Sequence, residues 1–176
     1  MRTKRMLLLV GLLLVAGAIG YPLLGGLGRN GRVPAVSAED GVLAANFILK
    51  TIDDKEVSLE EYRGKAVVVV NFWAMGCPPC RYEIPEFIDF YNEYKDKGVV
   101  ILAVNIGEPR DDVRSFAKRV GINFPVLLDL SGQVAARYWV EWTPTTFVLD
   151  KSGVIRSKVV GPVTRRYLES IVKPLL

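Results

Sequence analysis

The sequence predicts an α/β domain: a central mixed sheet with helices on both faces, with a β-hairpin added at its N-terminal side. Three observations predict it. Apolar, β-branched runs such as Val67–Phe72 alternate with stretches whose apolar residues recur at helical spacing, the pattern of strands joined by crossover helices. Late in the chain, two strand-like runs flank Lys151-Ser152-Gly153, which reads as a hairpin and adds antiparallel strands. Early on, Phe47-Ile48-Leu49 and Val57-Ser58-Leu59 flank the polar turn Asp53-Asp54-Lys55, a second hairpin.

Each element follows from its residues. Ser58 with Glu61 three positions on can cap a short helical turn that ends at Gly64. Ala66–Phe72 is apolar throughout, apart from Asn71, and is expected to be covered on both faces. A helix is expected from about Pro78 to Lys95, with Ile84, Phe87, Ile88 and Tyr91 in the core and a kink at Pro85. Val99–Asn105 is the second buried strand. Asp111–Val120 is the next helix, presenting Val113, Phe116, Ala117 and Val120 on one face and ending at Gly121. Phe124–Leu128 is the third strand and Gln133–Tyr138 a short helix. Thr145–Asp150 and Val154–Val160 form the late hairpin, and Thr164 caps a last helix with Tyr167, Leu168, Ile171 and Val172 inward.

The front of the chain differs in kind. Arg2, Lys4 and Arg5 precede Met6–Leu27, 22 residues without a charge, which as a helix would span ~33 Å and cross a bilayer. The expected layout is a basic cytoplasmic end at 1–5, a transmembrane signal anchor at 6–27, a Gly/Pro/Arg-containing linker at 28–38 and the folded domain at 39–176. Small-x-small sites at Ala16-Gly17-Ala18 and Val36-Ser37-Ala38 leave a cleaved signal peptide as the competing reading. The excess positive charge before the apolar segment places the N-terminus in the cytoplasm and the domain outside. Residues 1–32 hold five of the 23 Lys/Arg and no acid, which leaves 18 bases against 19 acids. The domain is therefore near neutral, and nucleic acid is not an expected partner.

The chemistry is concentrated in Asn71-Phe72-Trp73-Ala74-Met75-Gly76-Cys77-Pro78-Pro79-Cys80. The chain has two cysteines and no histidine. A metal site would need further Cys or His ligands, so none is expected, and no cofactor either. A disulfide closing so short a loop constrains the unfolded chain little and is a poor staple. The remaining reading is a dithiol that exchanges electrons. Cys77 falls at a helix start, where free N–H groups and the helix dipole favour a thiolate, so it is the expected attacking sulfur. Cys80, almost one turn further in, is the expected resolving sulfur. Pro78 and Pro79 lack N–H groups, which implies fewer donors to Cys77 and a more reducing couple. Glu83, three residues beyond Cys80, can share its helix face and is the available proton acceptor; the competing reading is a solvated helix carboxylate.

These residues resemble the membrane-anchored ResA/TlpA-type thiol-disulfide oxidoreductases of the thioredoxin-like class. The resemblance lies in Asn71-Phe72-Trp73, the two cysteines, Glu83-Ile84-Pro85, Val104-Asn105-Ile106-Gly107-Glu108, Asn123-Phe124-Pro125-Val126 and Thr143-Pro144-Thr145-Thr146-Phe147. It implies a thioredoxin-like three-layer sandwich. It implies Cys77 as exposed nucleophile, Cys80 as buried partner and Glu83 as active-site acid. Pro144 would be a cis-proline facing the disulfide, with Thr143 before it offering backbone to an extended substrate. It further implies reduction of apocytochrome c haem-attachment cysteines, with a membrane thiol-disulfide transporter as electron donor. Two positions depart from the relatives' pattern. Gly76 stands where Trp is common, and Asn71 where ordinary thioredoxins carry a buried Asp. Trp139 and Trp142 are expected to pack in the core or at the rim.

Competing functions are a peroxiredoxin-type peroxidase and a membrane-tethered binding module with a static disulfide. The peroxidase pattern Pro-x-x-x-Thr-x-x-Cys is not met, because Val70 and Ala74 occupy its first two positions.

Overall fold

The computed structural model describes residues 41–176. The basic end, the apolar segment 6–27 and the linker 28–38 lie outside the described residues. Among the described residues, no helix is long and apolar enough to cross a membrane.

Seven strands form one sheet. They are β1 (Ile48–Thr51), β2 (Glu56–Ser58), β3 (Val67–Trp73), β4 (Val99–Ile106), β5 (Val126–Asp129), β6 (Thr145–Leu149) and β7 (Ile155–Val160). Their spatial order is β2-β1-β5-β4-β3-β6-β7. β3, β4 and β5 are parallel to one another. β6 is antiparallel to β3, and β7 to β6. The helices are α1 (Pro78–Tyr94), α2 (Arg110–Val120), α3 (Gln133–Arg137) and α4 (Arg165–Val172).

Two steps in the same direction, β3 to β4 to β5, require right-handed crossovers, so α1 and α2 fall on the same face. Val67, Val69 and Trp73 of β3 point to that face, where they meet Phe87 and Phe90 of α1, Phe116 of α2 and Leu168 of α4. The alternate residues Val68, Val70 and Phe72 point the other way, onto Phe47, Val134, Tyr138 and Phe147. All seven residues of β3 are buried. A strand buried on both faces and flanked by β4 and β6 inside the sheet is a rigid base, and the cysteine loop leaves directly from its last residue, Trp73.

The expected elements are present, with boundaries moved by one or two residues. The early hairpin pairs Ile48 with Ser58, and β1 also pairs antiparallel with β5, so the hairpin extends the sheet edge. The Glu61 carboxylate accepts from Ser58 N–H at 3.1 Å, the expected capping contact at the turn Leu59–Tyr62. The third strand starts at Val126 rather than Phe124, because Phe124 turns inward against Tyr91 and Phe87 as part of the loop. α1 runs through Pro85 to Tyr94, and its buried stripe is Cys80, Glu83, Ile84, Phe87, Phe90 and Tyr94. Ile88 and Tyr91 are only partly buried. Val120 and Tyr167, expected inward, are exposed: Val120 closes the last turn of α2, and Tyr167 stands one residue before the buried Leu168, off the inward stripe.

Candidate active site

Cys77 is the N-cap of α1, in extended backbone at φ −93°, ψ 106°. Pro78 opens the helix with its fixed φ and no N–H to leave unpaired. Cys77 and Cys80 are joined in a disulfide, with Cα atoms 5.3 Å apart. Cys77 is half-buried and Cys80 completely buried, so an incoming group meets Cys77 first.

The surroundings of Cys77 Sγ are sparse in donors. Cys80 N–H donates to it at 3.2 Å, in the manner of an N-cap. Thr143 carbonyl oxygen lies 3.4 Å from the same sulfur. In the disulfide this is a non-bonded contact, since no proton is present; in the reduced protein the Cys77 S–H can donate there. The Thr143–Pro144 peptide is cis. Pro144 itself is buried and Thr143 half-buried. Thr145 Oγ1 donates to Trp142 carbonyl oxygen at 2.6 Å, which closes the loop on itself before β6 begins.

Glu83 is not a solvated helix residue. It is 2% exposed, and both carboxylate oxygens are engaged. Oε1 accepts from Asn71 Nδ2 at 2.8 Å, and Oε2 from Val163 N–H at 3.1 Å. Asn71 also donates to Thr146 Oγ1 at 3.1 Å. Burial pushes the Glu83 carboxyl up to about 7, and the two hydrogen bonds oppose that only in part. A carboxyl with this value, one turn beyond the buried sulfur, can take and return a proton near neutral pH. Asn71 of β3 thus ties Glu83 to Thr146 of β6 and holds it in place.

Glu108 is the residue that sequence reasoning missed. It belongs to the loop after β4 and accepts from Met75 N–H at 2.8 Å, Gly76 N–H at 3.4 Å and Asn105 Nδ2 at 2.6 Å. The available signal was the pairing of β3 with β4, which sets Trp73 beside Asn105 and so brings the loops after the two strands together.

Gly76 is exposed, has no left-handed backbone and no atom within 4 Å of where a Cβ would stand. Neither conformation nor space requires glycine there, so the approach to Cys77 on that side is open. Trp139 and Trp142 are rim residues, 55% and 72% exposed, and Trp142 directly precedes Thr143.

The arrangement matches known proteins. Residues 41–158 match the model of the AhpC/TSA family. The thiol-disulfide oxidoreductase ResA of Geobacillus thermodenitrificans is 39% identical over 164 residues, covering 91% of each chain. ResA of Bacillus subtilis is 34% identical over 177 residues, covering 98% of this chain and 96% of that one. Among solved structures, StoA of Bacillus subtilis superimposes with a TM-score of 0.63 at 31% identity, over 72% of this chain and 95% of its own. A thiol:disulfide interchange protein of the thioredoxin family from Chlorobium tepidum gives 0.68 at 29% identity, over 76% and 94%. The seven-stranded sheet with its helices is thus a thioredoxin-like fold, and the chain belongs to the AhpC/TSA family and, within it, to the ResA-type thiol-disulfide oxidoreductases.

Proposed function

We propose that this oxidoreductase works outside the cytoplasm as a reductase of protein disulfides, fastened to the membrane by residues 6–27. The haem-attachment cysteines of apocytochrome c are the proposed substrate, and a membrane thiol-disulfide transporter is the proposed electron donor. The observation that carries the reading is the asymmetry of the sulfur pair. Cys77 is reachable at a helix start beside the Thr143 backbone, while Cys80 is fully buried behind it. The membrane attachment rests on the basic residues Arg2, Lys4 and Arg5 before the uncharged Met6–Leu27.

In the reduced protein, the Cys77 thiolate attacks one sulfur of the substrate disulfide. That bond breaks, one substrate thiolate leaves and a mixed disulfide to Cys77 forms. The extended substrate lies along Thr143, whose backbone can pair with it as a strand edge would. Glu83 takes the proton of Cys80. The Cys80 thiolate then attacks Cys77 Sγ and expels the second substrate thiolate. Two electrons pass to the substrate, and the Cys77–Cys80 disulfide remains. The transporter returns the dithiol by the same steps in reverse.

The test offers the reduced chain two oxidised peptides of equal length, one with a Cys-x-x-Cys-His haem site and one with an unrelated disulfide. Faster reduction of the haem-site peptide is the expected result. Equal rates would remove apocytochrome c as the preferred substrate. Fractionation of expressing cells then examines the attachment: recovery in the soluble fraction would remove the anchor.

A further inference from the structure

Donors near the attacking sulfur are few, and Glu108 makes them fewer. Pro78 and Pro79 have no N–H. The N–H groups of Met75 and Gly76, on the other side of Cys77, are turned into the Glu108 carboxylate at 2.8 and 3.4 Å. The N–H of Cys77 goes to Ala74 carbonyl oxygen at 3.3 Å. Among the described residues, the N–H of Cys80 remains for the sulfur. Asn105, 1% exposed with its own Oδ1 unpartnered, donates its amide to Glu108 at 2.6 Å and fixes the carboxylate under the turn. The empty amide oxygen costs free energy in the folded protein, and the amide nitrogen is committed to this one carboxylate.

We propose that Glu108 is a positioning residue of the exchange reaction: it holds the Met75–Gly76 turn away from Cys77 Sγ and keeps a negative charge beside it, which lowers the thiolate fraction of the free dithiol. This rests on the thiol–disulfide reading of Cys77 and adds a control on it. A thiol kept largely protonated reacts slowly with stray small disulfides. Once a partner covers the site, its own backbone donors can stabilise the thiolate. The bonds made and broken are unchanged by Glu108: it neither takes nor gives the reacting proton.

Ionisable groups on the elements around Cys77 include Cys80 in the reduced protein, Arg81, Tyr82 and Glu83 in the first turns of α1, Glu86 and Asp89 further along it, Glu141 in the loop before Thr143, and Glu108. Comparing variants at position 108 alone, in the full chain, leaves the others constant. Repeating the series with Glu83→Gln removes the overlapping titration of that carboxyl. The experiment measures the rate of iodoacetamide alkylation of Cys77 in the reduced protein against pH, in low and high salt. Glu108→Gln is expected to raise the thiolate fraction at neutral pH about three- to tenfold at low salt. Glu108→Lys should raise it further, and both gains should shrink in high salt. Melting temperatures taken alongside show which variants are folded, and Glu108→Gln, which keeps one acceptor oxygen for the turn, carries the test by itself where Glu108→Lys does not fold. One and the same alkylation profile for the unaltered chain, Glu108→Gln and Glu108→Lys, all folded, would overturn the proposal. Failure of Cys77 to react at any pH in the unaltered chain would instead overturn the redox reading itself, so the two failures are distinguishable.

Discussion

Cys80→Ala is expected to turn the protein from a catalyst into a trap. Mixed disulfides through Cys77 should accumulate and persist, and turnover should fall to the uncatalysed rate. The reason is geometric. Cys77 is the half-buried N-cap of α1, and it retains the Cys80 backbone N–H as donor whatever side chain stands at position 80. Attack on a partner therefore survives. Release requires a second sulfur behind the first, and Cys80, fully buried one turn on and within bonding range of Cys77, is placed to supply it. Truncation to Ala leaves a small void under the loop and removes a bridge that closes too few residues to stabilise the fold much. Cys77→Ser, in contrast, should capture nothing. Electrophoresis without reductant, followed by mass spectrometry of the captured species, checks both. Equal capture through Cys77 in the unaltered chain would show that Cys80 does not resolve the intermediate.

Glu83→Gln is expected to abolish most of the dependence of folding stability on pH between roughly 4.5 and 7. The carboxyl sits at about 7 in the folded protein and near its ordinary 4.5 in an unfolded chain. Below that window it is neutral in both states and contributes no pH dependence. As pH rises through the window, the unfolded chain loses its proton while the folded one keeps it, so unfolding is favoured. Above about 7 both are ionised, and the accumulated loss levels off at ~3 kcal/mol. Glutamine never ionises, so its variant should lack this slope. Its amide can still accept from Val163 N–H and can pair with Asn71 after a flip of the Asn71 amide. Urea midpoints of the oxidised protein at pH 5 and pH 8 measure the effect. The same decline in both proteins would place the titration elsewhere. If Glu83 also serves Cys80, the release of trapped partner should slow in the same variant.

Local features are legible in the sequence. The uninterrupted apolar run of β3 announces a strand covered on both faces, and the cysteine spacing with two prolines announces a helix start. Long-range pairings are not legible in this way. β1 joins β5 rather than standing apart as a hairpin, because the sheet edge beside β5 is open; nothing within Ile48–Thr51 states that. The state of Glu83 is ambiguous in sequence for the same reason. Helical spacing places it beyond Cys80, but its burial is decided by Val163, 80 residues later. Glu108 stands inside a motif that signals kinship, and only the parallel register of β3 and β4 shows that its carboxylate reaches the turn before Cys77. Helix ends are the other weak point. At Val120 apolar character suggests an inward face, whereas the terminal turn of α2 leaves it at the surface.

The central claim is that Cys77 and Cys80 open and close while exchanging electrons with another protein's disulfide. The most direct measurement mixes the fully reduced chain with one equivalent of a disulfide-containing protein, quenches in acid and counts free thiols on each partner. The expected result is loss of two thiols from this chain, confined to Cys77 and Cys80, matched by two gained on the other. A disulfide that resists reduction at the outset, or a reduced pair that stays reduced while the partner stays oxidised, would contradict it.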